Sequence, residues 1–509
     1  MKKNGHRNAL ISTLSVLLLI STLLLFGCAQ NGTQTETSAE AIISTSAPIE
    51  TEPVETTDPN FTCDIKGLDL AGETISIYAT GHQSTTDEFY TKEIEGNIVN
   101  DAVYKRNLQV ENDLNVKLNI TLSTSNGESF VPNEISNLVK SGDPAYDLCT
   151  MGGYTQTPFV LEGDFYNMRE VENLNLGKFY WTQGYNSTIG TSEQQYTATG
   201  MFSLSMIRNL YVTLYSKDIF NDRKLPDLYE LTVNGEWTIE KLLEIIKDSY
   251  KDLNGNNVRD SADFYGFVGG TYTSADPFWT GFGISFLSVD NNDDFVFSLD
   301  PDRLINACEL VQKLLVGNPD TFDLNSISED TVLSTVRTDM FAEEQCAMVE
   351  VRLGEIEQKL SATEYKGDYG IAPFPKLSKD QEQYYGYVQD QLSVIAIVNT
   401  VADDRIDAVG ATLEKLCAES YDKVFPAFYE TALSYRYMNN IESKKMLDLI
   451  YNSIQIDSVY MYNSMFSWTG KMRDMAGATS TPASAIKSYS SAYSIVTEGF
   501  NYTFKKLLK

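Results

Sequence analysis

Alternation and helical spacing succeed one another early in the chain. Ile75 and Ile77 share one face of an extended stretch at residues 74–79, and Ile98, Ala102, Val103, Val110 and Leu114 then recur at helical intervals. Val116, Leu118 and Ile120 come next, alternating with Lys117, Asn119 and Thr121. Strand, helix, strand is a β-α-β unit. Ile135, Leu138 and Val139 predict a second helix over residues 133–140, stopped at Gly142, and residues 146–150 predict a short apolar strand. The pattern predicts an α/β fold with a mostly parallel sheet covered by helices. Ligands bind at the carboxyl ends of such strands, which brings forward Met151-Gly152-Gly153-Tyr154.

The longest apolar run stands apart from this pattern. Residues 9–26 carry only Ser and Thr as polar interruptions, behind Lys2, Lys3 and Arg7. The run ends in Leu25-Phe26-Gly27-Cys28, which resembles the lipobox of a bacterial lipoprotein signal. The resemblance implies cleavage after Gly27 and a diacylglyceryl thioether on Cys28, with acyl chains such as palmitate holding the protein to the membrane. A transmembrane anchor is the alternative, and about 18 residues is a borderline span. Residues 29–60 are rich in Ser, Thr, Glu, Gln and Pro and too poor in large apolar residues to fold. They read as a tether, with a typical span of roughly 30 Å.

Charge and residue usage narrow the chemistry of the remaining chain. The whole sequence carries a formal charge of −31, and loss of the leader's three cations makes it more acidic still, so nucleic acid and anionic lipid are poor partners. Beyond Cys28 there are Cys63, Cys149, Cys308, Cys346 and Cys417, without CxxC spacing, and buried free thiols are the expectation. His82 is the sole histidine left after leader removal, which excludes a histidine-rich zinc cluster and disfavours Ser-His or Cys-His catalysis. The sequence has no P-loop, GxSxG or HExxH motif.

Several stretches resemble one family, the carbohydrate-type (family 1) extracellular solute-binding proteins of bacterial ABC importers. Leu214-Tyr215-Ser216-Lys217-Asp218-Ile219-Phe220 is similar to that family's crossing strand and first helix of the second lobe, with Ser216 where Asn is common. Gly235-Glu236-Trp237-Thr238-Ile239-Glu240-Lys241-Leu242 resembles its helix opening, with Thr238 as N-cap and Ile239, Leu242, Leu243 and Ile246 facing the core. Phe341-Ala342-Glu343-Glu344-Gln345-Cys346-Ala347-Met348 resembles the return to the first lobe, and Tyr369-Gly370-Ile371-Ala372-Pro373-Phe374-Pro375-Lys376-Leu377 the Pro-x-Pro turn. Residues 411–450 resemble the helical C-terminal part of long Gram-positive members.

The resemblance implies a two-lobed α/β fold of the periplasmic-binding-protein-like type II, with a ligand cleft between the lobes. It places a signal peptide at 1–27, a lipid-anchored linker at 28–60, one lobe at 61–205 and 348–398, and the other at 206–347 and 399–509. Crossings are expected near Met206, Ala347 and Asn399. It also implies a monomer on the outer face of the cell membrane that captures a sugar and delivers it to an ABC permease, with no reaction of its own. A peptide receptor of the same fold and an anchored carboxylate glycosidase are the alternatives.

Two sets of residues carry candidate chemistry. Asp252, Asn254, Asn256, Val258 (through its carbonyl), Asp260 and Asp263 stand at positions 1, 3, 5, 7, 9 and 12 of a calcium-loop spacing. Asn257 replaces the turn glycine and Asp263 the long Glu, so a weak structural calcium site of about 10⁻⁴ to 10⁻³ M is expected, with a metal-free Asx-rich turn as the alternative. For a pyranose, with apolar C–H faces and a rim of hydroxyls, aromatic platforms and carboxylates are needed. Tyr154, Asp276, Trp279, Tyr387, Asp390 and Trp468 are the candidates, Trp279 foremost because Asp276-Pro277-Phe278-Trp279-Thr280-Gly281 reads as a loop after Gly269-Gly270. Trp181 and Trp237 read as core.

Overall fold

A computed structural model describes residues 63, 65–80, 88–123, 130–327, 333–360, 365, 367–428, 441–478 and 482–508. The leader, Cys28 and the tether lie outside these residues. No helix among the described residues is long and apolar enough to cross a membrane.

The chain begins with β1 (Glu73–Ala79), α1 (Ile98–Leu114), β2 (Val116–Leu122), α2 (Phe130–Ser141), β3 (Leu148–Gly152) and the short α3 (Gly153–Gln156). After a run of short turns come β4 (Tyr211–Ser216), β5 (Tyr265–Gly269), the hairpin β6 (Leu287–Val289) and β7 (Phe295–Phe297), and β8 (Thr321–Asp323). Next are β9 (Cys346–Arg352), β10 (Tyr369–Ala372), β11 (Gly386–Tyr387), β12 (Ser393–Ile397) and, far downstream, β13 (Ile454–Gln455). The predicted β-α-β unit is present: β1 lies parallel to β2 and β3, with Ile75 and Ile77 fully buried. The Asn97 side chain caps α1 by accepting from the Val99 and Asn100 N–H groups, and Asn115 ends it in the left-handed region, at φ 48°.

Two sheets result. The first has strand order β12-β3-β1-β2, with β12 antiparallel to β3. The second has order β10-β4-β9-β5-β8, with β9 parallel to β5 and antiparallel to β4. Thr238 caps the Ile239–Ile246 helix as expected, accepting from the Lys241 N–H, and Ile245 takes the buried place expected of Leu243.

The lobe boundaries differ from those expected. Cys346–Arg352 is not a return to the first lobe but the central strand of the second sheet, and β10 is its edge, so residues 348–387 stand with the second lobe. Six of the seven β9 residues are buried, and a strand paired on both sides has no route out of its sheet. Conversely, the Ile406–Glu419 helix packs on α1, which puts it with the first lobe. The outward crossing falls at Asn209-Leu210, close to the expected Met206. The return runs antiparallel beside it, Leu210 bridging Val388 and Gln389 N–H donating to the Asn209 carbonyl at 3.1 Å, rather than at Ala347 and Asn399. The Ile441–Asn452 helix packs on β10, which puts it with the second lobe.

Candidate functional site

At the carboxyl end of β3 the chain turns directly into α3. The Gly153 N–H donates to the Leu392 carbonyl (2.8 Å) and the Tyr154 N–H to the Asp390 carbonyl (3.0 Å), so Tyr154 and Asp390 are brought together. Both are partly exposed. A side chain on Gly153 would begin 2.6 Å from Met461 Sδ, because the Ser458–Met461 helix sits against α3 there. Only a bare backbone fits beneath it.

The carboxyl end of β5 carries a second group of candidate residues. Asn325 Nδ2 donates to Thr271 Oγ1 at 2.6 Å and lies against Gly270, which holds the loop after the strand in place. Tyr272, next in that loop, is 57% exposed, and the Arg473 guanidinium lies 4.5 Å from its ring centre. Arg473 donates to both carboxylate oxygens of Asp276 through Nε (3.0 and 3.2 Å) and to Oδ2 through Nη2 (2.5 Å). Burial pushes the Asp276 carboxyl up to about 6 against the pull of that guanidinium. Burial opposes the charge of Arg473, and the bond to Asp276 more than restores it.

Two buried tyrosines join this pair to Asp390. The Tyr387 and Tyr460 rings meet at 5.8 Å, and Tyr211 packs on Tyr387 at 5.7 Å. Burial raises both Tyr387 and Tyr460 well above the ordinary phenol range, and the nearby carboxylates of Asp276 and Asp390 add to it. Of the residues expected at the site, Tyr154, Asp276, Tyr387 and Asp390 are thus drawn into one neighbourhood.

Trp279 and Trp468 stand elsewhere. Residues Asp276–Gly281 form a helix, not a loop, with Pro277 in its first turn and all six residues buried. Trp279 has no exposed surface and offers no face to a ligand. Trp468 is likewise enclosed, wedged between Phe286, Phe297 and Tyr493 at 4.8 to 4.9 Å. Trp181 and Trp237 are core residues with satisfied indoles, Trp181 donating to Glu414 at 2.9 Å and Trp237 to the Pro373 carbonyl at 2.8 Å. Tyr272, Tyr460 and Arg473 escape sequence reasoning. For Tyr272 the signal was there, two residues past Gly269-Gly270 at a strand end; for Tyr460 and Arg473 the pattern holds none, since both arrive from the C-terminal helices.

In the loop 252–263, side-chain oxygens pin the turn. Asp252 accepts from the Gly255 and Asn257 N–H groups (2.6 and 2.9 Å), Asn254 from Asn256, Asn256 from Val258 and Asp260 from Ala262. Asn257 adopts the left-handed conformation of the glycine it replaces, at φ 57°. Asp263 is fully buried and accepts from Leu253 N–H (3.1 Å) and the Tyr250 hydroxyl (2.9 Å), so it staples the loop shut. The fit to a cation is partial, and no group of three or more His, Cys, Asp or Glu among the described residues is arranged to hold a metal. All five cysteines beyond Cys28 are buried and unpaired.

No family model matches the chain, and no curated protein does. Among solved structures the chain is similar to an ABC substrate-binding protein of Listeria monocytogenes in complex with cycloalternan, at 12% identity and a TM-score of 0.51, over 84% of this chain and 99% of that one. It is similar to the maltose-binding periplasmic protein of the same organism in complex with maltose, at 15% identity and a TM-score of 0.51, over 84% and 97%. A family 1 extracellular solute-binding protein of Bifidobacterium longum subsp. infantis matches at 16% identity and a TM-score of 0.50, over 83% and 100%. These likenesses show the fold, which is two-lobed and periplasmic-binding-protein-like.

Proposed function

We propose that this protein is a solute receptor of an ABC importer, anchored at the outer face of the cell membrane by a lipid on Cys28, which captures a sugar or oligosaccharide and hands it to a permease. The observation that carries the reading is the rim after β5, where the exposed Tyr272 ring and the pair of buried Asp276 with partly exposed Arg473 stand with Tyr387 and Asp390. An aromatic face beside oriented polar groups suits a pyranose. The lobes joined at Asn209-Leu210 and Val388-Gln389 supply a hinge, and a ligand that contacts both lobes stabilises the closed form by its greater affinity for it. Melting of the processed chain against a saccharide panel tests this: a ligand at 100 times its Kd adds about 2.7 kcal/mol to the native state. Release of chemically altered sugar would sink the receptor reading in favour of a hydrolase.

The anchor and the loop belong to the same proposal. Cys28→Ala removes the one thiol in the leader, so metabolic labelling with a fatty acid should mark the wild type and leave the variant unlabelled; equal label in both refutes the anchor. For the loop 252–263, support comes from its oxygen spacing and from the left-handed Asn257. Calcium should raise the melting temperature, and Asp252→Ala with Asp260→Ala should abolish the rise by removing two anionic oxygens. Identical wild-type melts in calcium and in chelator would reduce the loop to a turn held by Asp263.

A further inference from the structure

The tip of the β6–β7 hairpin reaches from one lobe to the other at a place that holds none of the candidate ligand residues. Asp290 folds that tip by accepting from the Asn292 and Asp294 N–H groups (2.8 and 3.0 Å), and Asp293 at its corner sits in the left-handed region, at φ 64°. A residue other than glycine is uncommon there. From that corner the Asp293 carboxylate accepts from the Ser192 N–H through both oxygens (2.9 and 3.1 Å) and from the Ser192 hydroxyl at 2.5 Å. Bonds to an ionised acceptor are the stronger kind.

The two ends of this contact are anchored in different lobes. Ser192 lies on a strip that Ala198 joins to Ile395 of β12, their backbone groups exchanging bonds of 3.0 and 2.9 Å, so the strip belongs to the first sheet. The hairpin is held from behind by the Pro482–Lys505 helix: Asn501 accepts from the Phe295 N–H at 2.9 Å and donates to the Phe295 carbonyl at 2.8 Å, and Lys505 pairs with Asp294 at 2.5 Å. That helix packs on the Pro301–Leu315 helix of the second lobe. Further contacts run beside the first. Gln194 Nε2 donates to the Phe504 carbonyl at 3.0 Å, and the Tyr196 ring meets Phe504 at 5.7 Å. The strip also reaches the carboxyl end of β3, where the Tyr185 hydroxyl meets Thr157 just beyond α3 (3.4 Å) and the Tyr462 hydroxyl donates to the Ile189 carbonyl (3.3 Å).

We propose that the β6–β7 hairpin is a clasp which, through Asp293 and Ser192, holds the two lobes together in the ligand-free protein. Rotation about Asn209-Leu210 and Val388-Gln389 has to part these residues before the lobes separate. Ser192 is exposed and Asp293 partly so, and water takes the place of each bond as it breaks, which makes the clasp reversible. The resting protein is then closed for part of the time with no solute present, and only the open fraction is competent to admit one. The clasp rests on the two-lobed fold and holds whatever the solute is.

The test needs no ligand. Lys117→Cys on β2 and Lys247→Cys after the Ile239–Ile246 helix place spin labels at exposed positions of different lobes, and pulsed electron resonance on the processed full chain in detergent reads the spacing between them; the five cysteines beyond Cys28 are buried. Asp293→Ala should raise the ratio of long to short distances about tenfold, with the fold intact by circular dichroism. Asp293→Asn, which tolerates the left-handed turn and keeps one accepting oxygen, should fall between the two. Ser192→Ala added to Asp293→Ala should open the lobes no further, because both residues serve one contact. Distances in Asp293→Ala and Asp293→Asn equal to the parent's overturn the clasp, as does further opening in the double variant or a parent that is already fully open. Each of these outcomes leaves the receptor reading standing.

Discussion

Tyr272 and Trp279 lie seven positions apart, on either side of one turn, and their fates are opposite. Tyr272 is more than half exposed against a guanidinium; Trp279 has no surface at all. Both come after the same glycine pair, and the indole has the larger stacking face. What separates them is backbone. Tyr272 belongs to the loop that leaves the carboxyl end of β5, held open by Asn325 on Thr271. Trp279 falls within a helical turn that packs inward. Residue type marks an aromatic as able to stack, but its distance from a strand end decides whether it is free to do so.

Three substitutions sharpen or break this contrast. Trp279→Ala should have the largest effect, a loss of about 3 to 5 kcal/mol in stability, because it opens a cavity in a closed core. Urea melts measure it, and a loss below about 1 kcal/mol would show that the indole faces open space. Arg473→Ala should cost about 3 kcal/mol, since it strands the Asp276 carboxylate in the interior. That loss should depend on pH. Burial already raises the Asp276 carboxyl to about 6, and without its guanidinium it rises further. A carboxyl raised above its unfolded value is harmless while protonated, so the penalty should be small near pH 4 and grow as pH climbs through 6 and beyond. A penalty that grew on acidification would contradict the buried placement. Tyr272→Ala should be the mildest for the fold, about 0.5 to 1 kcal/mol for the lost cation–π contact. Yet it should weaken ligand binding about tenfold by calorimetry, and if affinity holds while stability falls, the ring serves Arg473 alone.

How far the sequence reached depends on the physics of each signal. The first sheet was legible because β2 is half-buried and alternates, and α1 carries its own caps. The second was not, since β4, β5 and β10 are buried on every residue and β9 on all but its last, and such strands lack the alternation that tells a strand's place. The mistaken return at Ala347 comes from there. In the site, Gly152-Gly153-Tyr154 was found from its position after a strand, and Asp276, Tyr387 and Asp390 from their chemistry. Tyr460 and Arg473 were invisible because only tertiary packing carries the helices after residue 441 to the rim of β5.

The order in which the chain emerges bears on the edge strand β12. It completes the first sheet by pairing with β3, roughly 240 residues after β3 itself has been made. The second sheet, by contrast, comes from one uninterrupted stretch, 211–372, including its central strand β9. Closing the shorter loops costs less entropy, so the lobe that begins second is able to finish first. Until then β3 stands as an exposed edge awaiting its partner, and this is the stage at which the newly made chain is most open to mispairing with a neighbour.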